Sequence, residues 1–452
     1  MQQNFCPAVS PAIAIANQPT NDYIKAMRTF SIHTLGCKVN QYESQQIREL
    51  LETLGLAQAD AAAAPDLAVV NTCCVTATAS AKARQCIRKI AKQNPNAAIV
   101  VAGCLPGVET GELNNLDVDV HLLKDRADLA PTLHQLVNGN GQSGTSELPP
   151  LKSFSAHTRA FLKVQDGCDG YCTYCIVPKT RPNIKSRTIE SILDEAKSLI
   201  DAGHKEIVLT GIFLGAFGRD TVRRKNWPGG QNPQLALLLD KLAQLPHLPR
   251  IRLSSLEPHD LTERLLDVFC AHSNIMPHLH LSLQSGSDAV LKRMCRQYRA
   301  AEFLEKVAMA KQRLDIPAIT TDIIVGFPGE TQADFDATAE LARRVGFAKM
   351  HVFSFSPRKG TAATAMKDKI RNAVITKRSK ILRRLDAELG YEFRRQFIGT
   401  IDTVLLERDN GRLQGRSRRY FTVHVLAQNL THNDLVTVKL IDNTKDAAVG
   451  LP

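Results

Sequence analysis

The chain has 452 residues, with 57 Lys+Arg against 45 Asp+Glu, a formal net charge of +12 and a pI near 9.2. That length makes room for two or three domains, and the basic balance points to an anionic macromolecular partner, with a generally basic soluble enzyme as the plainer reading. Eleven cysteines over such a length exclude a small disulfide scaffold, and no run reaches the roughly 18–20 apolar residues of a membrane span.

Residues 1–28 hold little pattern and are expected to form a disordered extension. No Lys or Arg precedes Lys25, and Pro11 interrupts the one apolar stretch. No signal peptide is evident, and the reducing cytoplasm is the expected compartment.

A β/α alternation begins at residue 29. TFSIHTLG (29–36) reads as a strand and NQYESQQIRELLETLG (40–55) as an amphipathic helix ending at Gly55. PDLAVVNTC (65–73) reads as a buried strand, SAKARQCIRKIAKQ (80–93) as a helix and AAIVVAGC (97–104) as a further strand. The pattern predicts an open parallel sheet with helices on both faces. Each of the three strands runs into a cysteine: Cys37, Cys73 and Cys104. Ligands of open α/β sheets gather outside the carboxyl ends of the strands. Three cysteines distant in sequence are therefore expected to converge on one edge; the plainer reading buries each as a small core residue. Cys74 adjoins Cys73, and side chains alternate faces along a strand, so only one of the two is expected to ligate. Cys6, Cys86, Cys270 and Cys295 read as ordinary positions.

Residues 138–153 (NGNGQSGTSELPPLKS) form a Gly/Ser/Pro-rich linker between the unit at 29–137 and a second one at 154–389. The first strand of that second unit, AFLKVQ (160–165), leads into QDGCDGYCTYCIVP (165–178). Cys168, Cys172 and Cys175 stand at C-x3-C-x2-C spacing, which can put three thiolates on one iron–sulfur cluster from a single loop. A cubane [4Fe–4S] cluster held by three cysteines keeps one iron open for a small chelating molecule. Structural zinc is the competing reading, although it usually takes four ligands in paired C-x2-C units and no second pair follows. A disulfide between thiols this close would be strained.

Further strand candidates are EIVLTGI (206–212), RIRLSSL (250–256), HLHLSLQ (278–284), TTDIIVGF (320–327) and KMHVFSF (349–355), with helical stretches between them such as 189–203, 301–314 and 332–346. Six strands in β/α alternation predict an incomplete (β/α)6 barrel, its cysteine loop following the first strand on the face where barrel sites are built. The positive charge is local. Residues 1–150 carry a net −2 and residues 390–452 a net +2, so the whole +12 lies between them. The segment 367–384 holds 8 basic residues and 1 acidic one, and Arg219, Arg223, Arg224 and Lys225 form a smaller cluster. A local field of this kind suits a nucleic-acid track. The last unit, 390–452, changes to short β segments at 397–407, 411–425 and 434–442. It predicts a small β-barrel, a common nucleic-acid-binding module. Arg412, Arg416, Arg418 and Arg419 are its candidate phosphate contacts, with a solvated turn as the plainer reading.

Tyr174 just before the last cysteine completes a run that resembles the radical S-adenosylmethionine (SAM) signature. From about residue 29 the whole chain resembles one family, the methylthiotransferases. TLGCKVNQYES, VVNTCCVT and VAGCLP carry the likeness in the first unit. VQDGCDGYCTYCIVP, IVLTGIFLG, LSSLEP, HLSLQSGSDAVLKRM, TDIIVGFPGET and VFSFSPRKGT carry it in the second, and the last unit resembles the TRAM domain, an RNA-binding β-barrel.

The resemblance implies two [4Fe–4S] clusters. One, on Cys168, Cys172 and Cys175, would chelate SAM at its open iron and release a 5′-deoxyadenosyl radical. The other, on Cys37, Cys73 and Cys104, would present a sulfur methylated by a second SAM. The implied reaction replaces the C2 hydrogen of an adenine by a methylthio group. That C–H bond is aromatic and unactivated, beyond any side-chain base, so a cofactor carries the chemistry. Thr210 and Gly211, in an LTG turn, and Gln284 and Ser285, in LQSG, are the candidate SAM contacts, with ordinary strand-end residues as the plainer reading.

The family has three substrate branches: isopentenyladenosine in tRNA, threonylcarbamoyladenosine in tRNA, and an aspartate on a ribosomal protein. LGCKVNQYES most resembles the threonylcarbamoyladenosine branch, and HLSLQSGSD and SPRKGT agree with it. The implied partners are a tRNA anticodon stem-loop and a low-potential electron donor such as flavodoxin or ferredoxin. An RNA-binding protein with a structural cluster is the non-enzymatic alternative. Three departures from the family pattern stand out. Cys74 occupies a position where the branch has threonine. Lys179, Thr180, Arg181 and Pro182 follow Pro178 where the family has an aromatic and Ala-Arg-Gly, and Cys295 stands where asparagine is usual.

Overall fold

The structure, a computed structural model, describes residues 27–452 apart from 61–62, 109–110, 112, 114–115, 140–146, 156, 228–231, 410–411 and 428. The extension expected at 1–28 and the middle of the linker fall outside the described residues, apart from Met27 and Arg28.

The first unit comprises β1 (Thr29–Thr34), α1 (Lys38–Thr53), β2 (Ala57–Gln58), β3 (Leu67–Thr72), α2 (Ala77–Gln93), β4 (Ala98–Gly103), β5 (His121–Leu122) and α3 (Leu129–Asn138). Its strands pair in parallel in the order β2-β1-β3-β4-β5. Every residue of the central β3 is buried, as a parallel sheet covered on both faces requires. Leu67 and Val69 pack with Ile47, Leu51 and Leu133 on one face, while Ala68 and Val70 pack with Ile87 and Ile90 on the other. The sheet matches the expected one. The two-residue strands β2 and β5 are too short to show periodicity, and α3 was not foreseen.

The second unit comprises β6 (Ala160–Asp166), α4 (Val177–Thr180), β7 (Lys185–Ser186), α5 (Ile189–Asp201), β8 (Glu206–Gly211), α6 (Gln234–Ala243), β9 (Arg250–Leu253) and β10 (Ser255–Leu256). It continues with α7 (Glu263–Ala271), β11 (His278–Leu281), α8 (Asp288–Arg293), α9 (Ala300–Arg313), β12 (Ala318–Val325), α10 (Gln332–Val345), β13 (Lys349–Ser354) and α11 (Asn372–Arg395). Two four-stranded sheets, β7-β6-β8-β9 and β10-β11-β12-β13, meet through a parallel bridge between Ile251 and Ile275. They form an incomplete barrel, open between β6 and β13. Helix α11 covers the free edge of β13, where Asp386 accepts the Met350 N–H at 2.7 Å and the Lys349 ammonium at 2.6 Å. Helix α1 closes the other side: Glu43 pairs with Lys163 of β6 at 3.2 Å, and the Tyr42 ring lies under the same ammonium.

The last unit is a closed barrel of β14 (Ile401–Asp409), β15 (Arg412–Ser417), β16 (Thr422–Val425), β17 (Leu435–Asn443) and β18 (Ala448–Leu451), in the order β14-β15-β16-β18-β17. Tyr420, at φ 74°, turns the second expected segment into two strands. Val404, Leu406, Val423 and Leu440 pack with Phe393 of α11 and Phe397, which ties this barrel to the larger one. It plugs the end of the larger barrel at which the strands begin. The Tyr420 hydroxyl meets Arg159 at 2.6 Å, and the Tyr420 ring lies 4.8 Å from His278 and 4.7 Å from the Arg252 guanidinium. Among the described residues no helix is long and apolar enough to cross a membrane.

Candidate metal centres

β1, β3 and β4 are neighbours, and each ends just before a cysteine. The Cys104 N–H bonds the Thr72 carbonyl at 2.9 Å, which seats Cys104 beside Cys73. Gly36 brings in the third loop at φ +121°. A Cβ there would stand 2.8 Å from Cys73 Cβ and 3.3 Å from its Sγ, so only glycine lets the Cys37 loop approach so closely. Buried Asn40 donates to the Leu35 and Thr72 carbonyls at 2.9 and 2.8 Å, stitching the start of α1 to the end of β3. Cys37 precedes α1 in extended conformation, and its thiol lies against the first turn of that helix, 3.7 Å from the Asn40 side-chain oxygen.

The same geometry separates Cys73 from Cys74. Cys73 Sγ lies toward Gly36 and Cys37. Cys74 is fully buried with Ala83, Leu105 and Ile176, and its thiol points to the Cys104 carbonyl at 3.4 Å. Burial pushes the Cys37 thiol up and the Cys73 thiol to about 11. Cys104 moves the other way, to about 5, chiefly through a hydrogen bond from Cys74, with Arg181 and Arg126 adding to it. Arg126 Nη2 stands 3.3 Å from Cys104 Sγ.

The second set follows β6. Gly167, at φ +80°, takes the chain out of the strand past Asn183, whose carbonyl fills the space of a Cβ. Cys168 N–H donates to the Arg181 carbonyl at 2.9 Å, Gly170 N–H to Cys168 Sγ at 3.3 Å and Cys175 N–H to the Cys172 carbonyl at 3.0 Å. These bonds curl the loop so that all three thiols belong to one turn. Arg296 Nη1 lies 3.1 Å from Cys172 Sγ, and Arg296 Nη2 meets Glu257 at 2.6 Å. Burial pushes Cys168 and Cys175 to about 12, so both keep their protons until a cation displaces them. In each set the three thiols are near enough to feel one another's charge, N–H donors reach a sulfur, and among the described residues no carboxylate bonds to one. That donor set fits a soft thiolate cluster and not a hard oxygen-seeking cation.

The two sets adjoin. Ile176, next to Cys175, shares an apolar cluster with Cys74, Cys104 and Leu105. Arg126 spans the gap, reaching the Thr180 carbonyl at 2.8 Å as well as Cys104. Arg181, 1 % exposed, holds Glu43 of α1 through both Nη atoms at 2.7 Å and Asp166 of β6 at 2.8 Å. Burial raises the Glu43 carboxyl, but Arg181 and Lys163 outweigh it and hold it at about 2.

Residues 162–342 match the radical SAM superfamily, and residues 29–124 match the uncharacterized protein family UPF0004. The "Threonylcarbamoyladenosine tRNA methylthiotransferase MtaB" of Chlamydia pneumoniae is 36 % identical, over 93 % of this chain and 97 % of its own length. The chain belongs to the radical SAM methylthiotransferase family. A second relative, the "tRNA-2-methylthio-N(6)-dimethylallyladenosine synthase" of Ehrlichia canis, is 31 % identical over 94 % of this chain and all of its own. Among solved structures, the radical SAM methyltransferase TsrM of Kitasatospora setae covers 75 % of this chain and 77 % of its own at a TM-score of 0.53 and 13 % identity, a likeness of fold alone. SAM and a [4Fe–4S] cluster are the cofactors that membership implies.

In this methylthiotransferase the other candidates divide. Thr210 and Gly211 end β8 beside the cysteine loop, and the Gln165 amide of β6 folds over Gly211. Gln284 sits at φ 63°, its N–H bonded to the Asp322 carbonyl at 2.8 Å. The Ser285 hydroxyl is turned toward Thr338 of α10 at 3.3 Å. In the small barrel Arg416 pairs with Glu407 at 3.2 Å, while Arg419 pairs with Asp315 at 2.8 Å and lies over the Phe397 ring. The Arg418 carbonyl accepts from Arg252, and the side chain of Arg412 lies outside the described residues. Arg126, Arg296 and Glu257 escaped the sequence reading: the two arginines reach their cysteine sets from distant loops, Glu257 meets Arg296, and nothing local marks them.

Proposed function

We propose that this chain replaces the C2 hydrogen of N6-threonylcarbamoyladenosine, beside the anticodon of tRNA, with a methylthio group. The observation that carries this reading is that two three-cysteine sets adjoin, one at the strand ends of the first unit and one in the loop after β6, joined through Ile176 and Arg126. Cys168, Cys172 and Cys175 would hold the cluster that binds SAM, and Cys37, Cys73 and Cys104 a second [4Fe–4S] cluster. When bound, these groups supply what no side chain has, homolysis of an unactivated C–H bond and a transferable sulfur. The chain's own part is to hold and tune them. N–H donors from Arg296 to Cys172 and from Arg126 to Cys104 draw charge from the sulfurs, which is one lever on a cluster's potential. Thr210, Gly211 and Gln284 stand at strand ends, where they could receive the methionyl part of SAM. Residues 29–137 would act as the domain of the second cluster, 138–153 as linker, 154–389 as the radical domain and 390–452 as a TRAM-like RNA-binding domain. A low-potential donor such as flavodoxin or ferredoxin would supply electrons in the cytoplasm.

The names of the more similar relatives support threonylcarbamoyladenosine as the substrate. The test is mass spectrometry of tRNA nucleosides from cells with and without the gene. Loss of the methylthio form of threonylcarbamoyladenosine is the expected result. Loss of methylthio-isopentenyladenosine instead would move the chain to the neighbouring branch, and unchanged tRNA would overturn the reading.

We place the phosphate contacts on α11 instead. Arg416 and Arg419 already meet carboxylates in part-buried pairs, whereas Lys377, Lys380, Arg383 and Arg384 line the exposed face of α11, where Arg384 meets only the exposed Glu388 one turn on, at 2.9 Å. Replacing those four by Gln is expected to weaken tRNA binding several-fold and to reduce the slope of log K against log salt by roughly 3. Arg416→Met and Arg419→Met are expected to lower Tm more than affinity. Filter binding over a salt series and thermal melting separate the two effects.

A further inference from the structure

We propose that Lys38, His280, Asp322 and His351 form the pocket for the polar substituent on N6 of the target adenosine, with Lys38 and the imidazoles taking its carboxylate and Asp322 an N–H or hydroxyl. This rests on the substrate reading above and names the residues that would enforce it. Three neighbouring parallel strands, β11, β12 and β13, carry the cluster, with Asp322 directly opposite His351 and His280 opposite Thr320. His280 Nε2 lies 3.4 Å from an Asp322 oxygen, and the His280 and His351 rings are 5.8 Å apart. One side-chain nitrogen or oxygen from each of the three lies within 4.8 Å of the others.

The face they share is the barrel interior. His278, two residues before His280, meets Tyr420 of the small barrel that plugs the bottom, and Thr320 joins the two histidines at 3.2 and 2.9 Å. The cluster therefore sits above the plug. It also sits just beneath the mouth, because the Asp322 carbonyl accepts the N–H of Gln284. It is wet: Asp322 is 29 % exposed and His351 is exposed. A core position would be neither.

Lys38 supplies the fourth group. It directly follows Cys37 and opens α1, the helix that closes the barrel side. Among the described residues its side chain makes no hydrogen bond or ion pair, yet its positive charge is felt at Asp322, His278 and Tyr420. It thus faces the interior between the cysteine edge and the plug. Two imidazoles and a carboxylate could also hold a divalent cation, but a nearby ammonium opposes one and favours an anion.

The chemistry of the two adenosines does the sorting. A threonylcarbamoyl group carries a carboxylate, a hydroxyl and N–H groups; a dimethylallyl group carries none of these. An apolar tail here would desolvate Lys38 and Asp322 without pairing them. Sites built to hydrogen-bond a ligand reject analogues lacking the polar group by about 10⁴-fold.

The test uses the reconstituted full chain and two tRNAs that differ only in threonylcarbamoyl against dimethylallyl at the same adenosine. Lys38→Met, His351→Phe and the double variant are compared with wild type in kcat/KM on each, with iron content and Tm as controls for folding. Expected is a loss of about 100-fold or more on the threonylcarbamoyl substrate in the double variant, with a smaller loss or a gain on the other, so that the preference narrows. An unchanged preference in correctly loaded variants would overturn the pocket while leaving the substrate reading intact. Wild type acting only on the dimethylallyl tRNA would overturn the substrate reading first and the pocket with it. One divalent metal per chain, lost in His351→Phe and required for activity, would also overturn it and make the cluster a metal site.

Discussion

Cys73→Ala is expected to abolish methylthio transfer to tRNA, while Cys74→Thr is expected to leave it within about twofold of wild type. The difference lies in direction. Cys73 Sγ lies by Gly36, the residue before Cys37, and Cys74 is enclosed by Ala83, Leu105 and Ile176, meeting Cys104 from that side. Threonine is close to cysteine in size, and its hydroxyl can keep the bond to the Cys104 carbonyl that the Cys74 thiol makes. The contrasting variant is Cys168/Cys172/Cys175→Ala. It should lose all SAM cleavage and about half of the iron, from about eight per chain to about four. Cys73→Ala should keep SAM cleavage, because the loop after β6 is untouched. Iron analysis, 5′-deoxyadenosine release and the methylthio nucleoside, measured on the same anaerobic samples, distinguish these outcomes. Full SAM cleavage by the triple variant would sink the assignment of the two sets. Loss of transfer in Cys74→Thr with retention in Cys73→Ala would show that the ligand has moved by one residue.

The three strand-end cysteines were legible because two signals coincided, a buried apolar run and a cysteine at its carboxyl end, repeated three times. Topology then brings them together without further information. The choice between Cys73 and Cys74 was not legible. Alternation says that they face opposite ways but not which way is inward. That is decided by Gly36, 37 residues earlier, and by the α2 and Ile176 side chains on the other face. The cysteine loop after β6 was legible from spacing alone, whereas Arg296, more than 120 residues later, reaches Cys172 only through the closure of the barrel. The basic segment 367–384 read as one positive track. In the structure Arg378 turns inward to Glu330 at 2.7 Å and Ser379 is buried, so part of that run holds α11 against β13 and α10 and only its outer face is free for phosphate. Arg416 and Arg419 of the small barrel were read as phosphate contacts because a sequence shows their charge and not their partners, Glu407 and Asp315.

Arg181→Met is expected to cost about 3–5 kcal/mol of stability, because it removes the cation from a buried pair of carboxylates. Sequence marked Arg181 only as part of a loop that departs from the family pattern. It lies where the two units meet, binding Glu43 of α1 and Asp166 of β6 at once. Lys163 would be left to serve both carboxylates alone, with Arg126 no closer than 3.7 Å from Glu43. The sign of the pH dependence follows from Glu43. Burial raises its carboxyl, but Arg181 and Lys163 hold it at about 2, below the ordinary value of 4.5. A depressed carboxyl contributes its stability above the unfolded pKa and loses it as pH falls toward the folded one. In wild type that contribution should therefore be complete at neutral pH and fade between about pH 4.5 and 2. Without Arg181 burial dominates, the Glu43 carboxyl rises, and the variant should instead lose stability as pH climbs from acid toward neutral. The Tm gap between wild type and Arg181→Met should thus be widest near neutrality and narrow on acidification. Arg181→Lys should fall between them, since an ammonium keeps the charge but cannot fork to two carboxylates. The damage should also reach the chemistry. The Arg181 carbonyl holds the Cys168 N–H, and its side chain fixes α1, which carries the Cys37 edge, against the strand that leads into the cysteine loop. In the variant, SAM cleavage should persist while methylthio product per 5′-deoxyadenosine falls, because each set can fill separately but their spacing is no longer held. A Tm gap that stays constant from pH 4 to 7, or an unchanged product ratio, would show that this ion cluster does not set the register between the two sets.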